Sequence, residues 1–382
     1  MHPVESIQLP LTPLELVARW PRNVPLAALL SCESSSASQG RSRWSILARP
    51  HYSRAFRAGE DPLGVEWIGR SARRDPSPSL PGWAPGLLTT TGPAGGSEVP
   101  FTGGWIGYLS YDFGRLLEPA ATFGRALVGT DVSADPQAAK CSEIEQAMPM
   151  AMWAWCPDAY VHDNLLERWW RIGDATLLPG VIDVCGPRER ACDVIPPYAA
   201  GELKSGMGRD AYKQAVARCI EYIHAGDVFQ ANVAHSLEGR FEGDPRRFFV
   251  DLMSATRPWY GAYLETGQGV IASASPEMFL RYDTESRRIV TRPMKGTRDA
   301  SHAASSTELA ASSKDEVELT MIVDLMRNDL GRVCDYGSVR VEEARAIEHH
   351  GEQDHAAAQN RPANAADTSI LPPLNPACFG AA

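Results

Sequence analysis

Four short segments between Trp259 and Pro293 constrain the fold most. WYGAYLET, GVIASAS, MFLRYD and RIVTRP are rich in β-branched and aromatic residues and are separated by turn residues. This spacing predicts a meander of antiparallel strands. On either side the pattern changes to a helical period. Asp210 is placed to cap a helix running to Ala225, with Tyr212, Val216, Ile220 and Ile223 on its apolar face and Gly226 at its end. RRFFVDLMSA reads as a short helix, and residues 313–328 as a longer one with Val317, Met321 and Leu325 on one side. VFQANVAHSLEGRF (228–241) alternates as a half-buried strand is expected to. Antiparallel sheets with helices packed outside them make the fold class α+β.

The first half is less regular. RWSILARP predicts a strand with Trp44, Ile46 and Ala48 on one face. ESSSASQGRSR reads as a polar loop, residues 62–100 as loop-dominated, and residues 130–143 as an exposed excursion. GGWIGYLSYDFGRLLE (103–118) places glycines among aromatics, which predicts close backbone approach within a sheet; no GxGxxG or GK[ST] phosphate loop is present. DVCGPRERACDVIPPYAAGELKSGMG (183–208) is rich in Pro, Gly and charge and predicts a linker at 186–208 between a region 1–185 and a region 209–348.

With a net charge of −10 and no basic stripe, the chain is expected to have no nucleic-acid partner. Its eight cysteines contain no CxxC pair, which favours a reducing, cytoplasmic setting over a zinc or disulfide framework. No basic segment precedes an apolar one at the start, and no apolar run approaches the roughly 18 residues that span a bilayer, so no membrane is expected.

Three kinds of group in residues 271–334 are able to do chemistry. Asp315 and Glu318 lie at i and i+3 on one predicted helix face, a donor set suited to a hard cation such as Mg²⁺. A solvated face beside Lys314 and Glu316 is the commoner reading of that spacing. Lys295, in PMKGT, stands at a strand end before a glycine turn and becomes a nucleophile if desolvated, although a lone lysine is more often on the surface. Glu277 follows Ser-Pro and acts as a general acid if burial raises its pKa; alone it is equally a turn carboxylate. For Asp324, Arg327, Asn328 and Asp329, ion pairing and capping near a helix end is the default.

Taken together and in order, SASPE, PMKGT and KDEVELTMIVDLMRNDLGRVC followed by GSV resemble the chorismate-utilising family, which includes the large subunits of anthranilate synthase and aminodeoxychorismate synthase. GDVFQANV, GRSRWSILA and GGWIGYLSYDFGR are similar to other parts of that family. The resemblance implies the family's α+β fold over residues 20–348, chorismate as substrate, Mg²⁺ held by Glu318 and Asp315, Glu277 as acid and base, and Lys295 as the nucleophile at ring carbon C2, with Thr297 in the substrate site. The lysine of PMKGT is similar to the aminodeoxychorismate synthase type, on a route to 4-aminobenzoate and folate; anthranilate synthases usually carry alanine there. It also implies a glutamine amidotransferase partner that supplies ammonia, and a tryptophan site near Ser42, Arg43, Trp44, Pro258, Trp259 and Tyr260.

After GSVRVEEARAIEH the family's further motifs are not found in HGEQDHAAAQNRPANAADTSILPPLNPACFGAA. The fold is therefore expected to be incomplete at its C-terminus, with residues 349–382 forming a disordered or out-of-frame tail. Two alternatives follow: an anthranilate synthase component, or a non-catalytic remnant that binds the amidotransferase subunit or tryptophan.

Overall fold

The computed structural model describes residues 3–32, 42–56, 66–68, 99–114, 148–174, 196–283, 286–299, 302, 304–350 and 353–362. The first half carries β1 (Val4–Ile7), α1 (Pro13–Arg19), β2 (Ala27–Leu30), β3 (Trp44–Arg49), β4 (Tyr52–Phe56), β5 (Glu66–Ile68), β6 (Gly104–Leu109), β7 (Ala151–Cys156), β8 (Asp158–Asp163) and β9 (Arg168–Ile172). The next stretch contains β10 (Tyr198–Ala200), β11 (Lys204–Ser205), α2 (Arg209–Ala225), β12 (Leu237–Glu238), β13 (Phe241–Gly243) and α3 (Pro245–Thr256). It is followed by β14 (Tyr260–Glu265), β15 (Val270–Ser275), β16 (Met278–Asp283), β17 (Arg288–Arg292) and β18 (Met294–Asp299). The last elements are α4 (Ser305–Ala311), α5 (Ser313–Gly331), β19 (Val339–His350) and β20 (Gln353–Pro362). Helices and antiparallel sheets together give the expected α+β class, and every strand pairing among the described residues is antiparallel.

The largest sheet has the order β1-β9-β8-β3-β2-β14-β15. Alternation gives it two apolar faces. Leu47, Tyr160 and Tyr263 pack with Leu16, Val17 and Trp20 around α1 and with Phe249 and Met253 of α3. Ala48, Ala159 and Val161 pack with Met152, Ala154 and Ile106 of a four-stranded sheet, β5-β4-β7-β6. Trp44 and Ile46 join Ala48 on that side, as their spacing predicts. Gly107 meets the prediction of close approach: a Cβ there would lie 2.0 Å from the Met152 carbonyl oxygen.

The predicted division at 186–208 does not separate two sheets. β14, from the second half, pairs with β2 from the first, so the large sheet draws on both. Within the expected linker, β10 pairs with β13 and β11 with β12; backbone groups there find ladder partners in the segment around α3, which a free linker would leave to water. Residues 183–195, residues 33–41 of the predicted polar loop, most of 62–100 and the excursion at 130–143 lie outside the described residues.

The predicted four-strand meander is broken in the middle. β14 pairs with β15 and β16 with β17, but β15 ends the large sheet while β16 starts another, of order β16-β17-β20-β18 with β19 paired to β20. The crossing falls at Pro276, which has no N–H to give to a ladder. The expected disorder from residue 349 is also corrected. β19 runs to His350 and turns back as β20, whose backbone pairs with both β19 and β18, so ladder bonds order this segment despite its polar, alanine-rich composition. Residues 363–382 lie outside the described residues.

Three further expectations change. Residues 228–236 form no strand: Val228 and Phe229 are exposed, and no strand among the described residues pairs with them. The cap of α2 is Gly208, with no side-chain cap, and Asp210 sits in the first turn; Gly226 does end the helix, in the left-handed region at φ 80°. In α5 the buried face is Asp315, Leu319, Val323 and Leu330, while Val317 points to solvent. Leu319 and Val323 pack with Leu309 of α4 against Val341 and Ile347 of β19, and this contact, not the apolar count along the helix, sets its rotation.

One buried cation ties the layers together. Arg246 of α3 donates to the Glu265 carboxylate at 2.8 Å and to the carbonyls of Trp20, Pro21 and Val24 at 2.9, 3.2 and 3.0 Å. Glu265 also accepts from the Leu26 amide and the Tyr263 hydroxyl. Removing one partner of such a pair leaves the other buried and unpaired. Arg246→Ala should destabilise the fold by about 3–5 kcal/mol in urea unfolding; a change below about 1 kcal/mol would contradict this role.

Candidate active site

The candidate site lies where the chain leaves one sheet and enters the next. Ser275 ends β15, and its hydroxyl accepts from the Glu277 amide at 3.4 Å and donates to the Glu277 carbonyl at 3.2 Å. This tight turn directs the Glu277 side chain towards the start of β18, where its Oε1 accepts the Met294 N–H at 3.2 Å. Desolvation raises the Glu277 pKa above the ordinary carboxylate value, while the Met294 amide and the charge of Lys295 pull in the opposite direction. The amide that Glu277 accepts from is that of the residue before Lys295, whose charge also acts on the carboxyl. Lys295 itself is half-buried.

Gly296 joins this pair to α5. It stands at φ 77°, where the register of β18 against β20 shifts between Lys295 and Thr297. A Cβ there would lie 2.8 Å from Cγ of Asp315 and 2.8 Å from Cδ1 of Leu309. Asp315 is buried in the first turn of α5, its N–H capped by Ser312 Oγ at 3.3 Å. The hydrogen bond with Ser312 and the charge of Arg298 hold its carboxyl below the ordinary range, against the cost of desolvation. Arg298 Nη2 donates to Asp315 Oδ2 at 2.9 Å. Glu318, one turn further, is half-buried and lies 3.9 Å from Lys314 Nζ. Thr297, on the outward side of the bulge, is exposed. Asp324 pairs with Arg327 at 3.0 Å on the surface, the ion-pair role expected for that cluster.

Of the two carboxylates expected to meet magnesium, Asp315 already has a cationic partner, Arg298. Glu318 is the carboxylate of that helix face that would hold a magnesium ion, which binds through one or two protein carboxylates and keeps waters at its other positions.

Two groups in this region escape a reading of the sequence. Arg298 is visible in PMKGTRD but carries no sign that it faces Asp315. Arg292 is buried, with Nε 2.6 Å from the buried Glu348 and Nη2 3.0 Å from Glu343. That pair bridges β17 and β19 across 56 positions, which no local spacing reveals.

The segments expected to form a tryptophan site meet through β2. Cys32 N–H donates to the Pro258 carbonyl at 3.1 Å, and Ser31 Oγ donates to the Trp259 carbonyl at 2.6 Å. Asn164 Nδ2 donates to the carbonyls of Ser31 and Ser42 at 3.0 and 3.1 Å. Arg43 pairs with Asp163 at 2.6 Å and lies 4.6 Å over the Trp44 ring. Burial raises the Asp163 carboxyl's pKa, but the bonds from Arg43 and the amides of Leu165 and Leu166 outweigh it and hold the group ionised. Ser42 and Trp259 are buried, and Tyr260 starts β14 half-buried.

The chain carries the sequence signature of the chorismate binding enzyme family. The family model described by that phrase matches residues 70–358, well over half of the chain, and the chain belongs to it. Among similar proteins, aminodeoxychorismate synthase component 1 of Escherichia coli is 32% identical over 269 residues, covering 67% of this chain and 53% of the relative. Anthranilate synthase component 1 of Thermus thermophilus is 32% identical over 267 residues, covering 67% and 54%. Aminodeoxychorismate synthase component 1 of Bacillus subtilis is 32% identical over 302 residues, covering 74% and 58%. The chain therefore spans about half the length of these relatives. The crystal structure of anthranilate synthase component I from Streptococcus pneumoniae TIGR4 aligns with a TM-score of 0.63 at 21% identity, covering 86% of this chain and 70% of that one, a likeness of fold. No helix among the described residues is long and apolar enough to cross a membrane.

Two substitutions probe the junction of β18 and α5. Gly296→Ala forces a Cβ into Asp315 at positive φ and should cost about 1–3 kcal/mol in denaturant unfolding. Arg298→Ala should narrow its stability gap from wild type as pH falls. A carboxyl whose folded pKa is depressed contributes stability above its unfolded value, near 3.9, and loses it as pH falls through the folded value. A gap that stays constant down to pH 2 would show that Arg298 does not act through Asp315.

Proposed function

We propose that this chain is the lysine-bearing part of an aminodeoxychorismate synthase component I, transferring an amino group from ammonia to chorismate. The single observation that carries the reading is the Glu277–Lys295 juxtaposition at the sheet crossing, with desolvation raising the Glu277 pKa. In this reading the Lys295 amine adds to ring carbon C2 and the C4 hydroxyl leaves, taking the Glu277 proton and departing as water. Ammonia then adds at C4 as the C2–nitrogen bond to Lys295 breaks, and the lysine is regenerated. A carboxyl whose pKa is raised by burial suits the donor role better than a solvated one. The lysine in PMKGT favours this reading over anthranilate synthesis, whereas relatives of both kinds stand at 32% identity.

Where a magnesium ion is required, Glu318 is its assigned protein contact, since Asp315 is committed to Arg298. Thr297, exposed at the mouth of the bulge, is assigned to the substrate. Ammonia is assigned to a glutamine amidotransferase subunit as its source. A second reading rests on the knot of Ser31, Ser42 and Asn164 beside Trp259: the strand ends gathered there take tryptophan.

The purified chain incubated with chorismate, ammonia and Mg²⁺ should yield 4-amino-4-deoxychorismate by mass spectrometry. Glu277→Gln should slow it about a hundredfold or more, and Lys295→Ala should abolish the covalent adduct. Anthranilate with pyruvate would place the chain with the other relatives, and no consumption of chorismate would leave a binding module. Unchanged turnover in Lys295→Ala would remove the lysine from the chemistry.

A further inference from the structure

Glu277 and Lys295 are joined where the ladder is interrupted. β17 ends at Arg292 and β18 begins at Met294, with Pro293 between them. Proline has no N–H to give to a ladder, so the backbone alone holds the chain weakly at this point. Main-chain pairing sets Arg292 opposite Met278, the residue after Glu277. Two residues beyond Arg292, the Met294 amide donates to Glu277 Oε1 at 3.2 Å. Arg292 therefore stands inside the loop of chain that this hydrogen bond closes.

Its side chain supplies the anchor that the ladder lacks. Arg292 is 2% exposed, and its Nε donates to Oε1 of Glu348, itself 5% exposed, at 2.6 Å. Its Nη2 donates to Oε2 of Glu343 at 3.0 Å. Both carboxylates belong to β19. Across the sheet, Lys295 pairs with Ala356 of β20, and Ala356 also pairs with Ile347, the neighbour of Glu348. One end of the buried ion pair thus lies opposite the residue after Glu277, and the other lies next to the row that contains Lys295. A buried pair of this kind often adds little net stability over apolar side chains of the same volume. The planar guanidinium fork does fix angle as well as distance, here on two carboxylates at once.

We infer that the Arg292–Glu348 ion pair is the positioning device of the candidate site: it holds the Met294 amide on Glu277 and with it the place of Lys295. The Glu277 carboxyl feels burial, the Met294 amide and the charge of Lys295; Arg292 acts on it by setting where that amide and that lysine lie. What the positioned groups catalyse rests on the amino-transfer reading, whereas their positioning is measured without turnover. The test is amide hydrogen exchange by NMR on the full-length chain. In Glu348→Gln the Met294 amide should exchange more than about tenfold faster, while amides of β14 in the large sheet keep their wild-type rates. Arg292→Lys keeps the charge but not the fork. It should show the same selective loss, and it decides the question if Glu348→Gln does not fold. Arg288→Gln cuts a looser pair between the same two strands, 3.6 Å from Glu342, and should leave Met294 unchanged. With chorismate, ammonia and Mg²⁺, the first two variants should lose about tenfold or more in kcat, with KM little changed. A Met294 rate that does not change, or that rises only in step with β14 as a merely stabilising pair would give, overturns the proposal. So does an equal effect from Arg288→Gln, or a wild-type kcat in a variant whose Met294 amide exchanges fast. A wild type without turnover sinks the amino-transfer reading only, and the exchange comparison still decides the positioning.

Discussion

The bond from the Met294 amide to Glu277 joins the last strand of one sheet system to the first chemistry-bearing strand of the next. Everything assigned to the candidate site hangs on it. Pro276 stops the ladder after β15, the Ser275 hydroxyl tightens the turn, and the carboxylate then finds an amide on β18 one residue before Lys295. A carboxyl in this position is desolvated yet faces a positive charge. Those opposing influences make its protonation responsive to small changes in its surroundings.

The second constraint is the bulge at Gly296. A residue with a side chain would collide with Asp315, so the close approach of β18 to α5 depends on the missing Cβ. The same approach lets Arg298 reach Asp315 and turns the carboxylate face of α5 inward. In a chain of net charge −10 this pairing offsets one carboxylate of the α5 face close to the bulge.

Much of this was legible in the residues. Alternation located β3 and both strands of the β14–β15 and β16–β17 pairs, and the order of SASPE, PMKGT and the α5 segment pointed to one shared site. The failures have physical causes. A period of two cannot say which sheet a strand joins, so the crossing at Pro276 passed for a turn within one meander. Apolar spacing alone rotated α5 the wrong way, because Asp315 is held inward by Arg298 and Gly296 while Val317 has nothing to pack on. Residues 228–236 alternate correctly but have no neighbouring strand among the described residues, and a strand without ladder partners does not form. The polar composition of 353–362 hid a strand because its backbone, not its side chains, is what β18 and β19 use. The buried Arg292–Glu348 pair, bridging β17 and β19, lies beyond any local rule.

The central claim is that Glu277 and Lys295 share one environment. Carbon-13 NMR titration of the Glu277 side-chain carboxyl, in the wild type and in Lys295→Ala, measures this directly. The wild-type carboxyl should titrate above the ordinary glutamate value of about 4.3. Removing the lysine takes away a charge that favours the carboxylate, so the variant should titrate higher still. Identical titration in the two proteins, or a wild-type value at that of a free glutamate, would contradict the account.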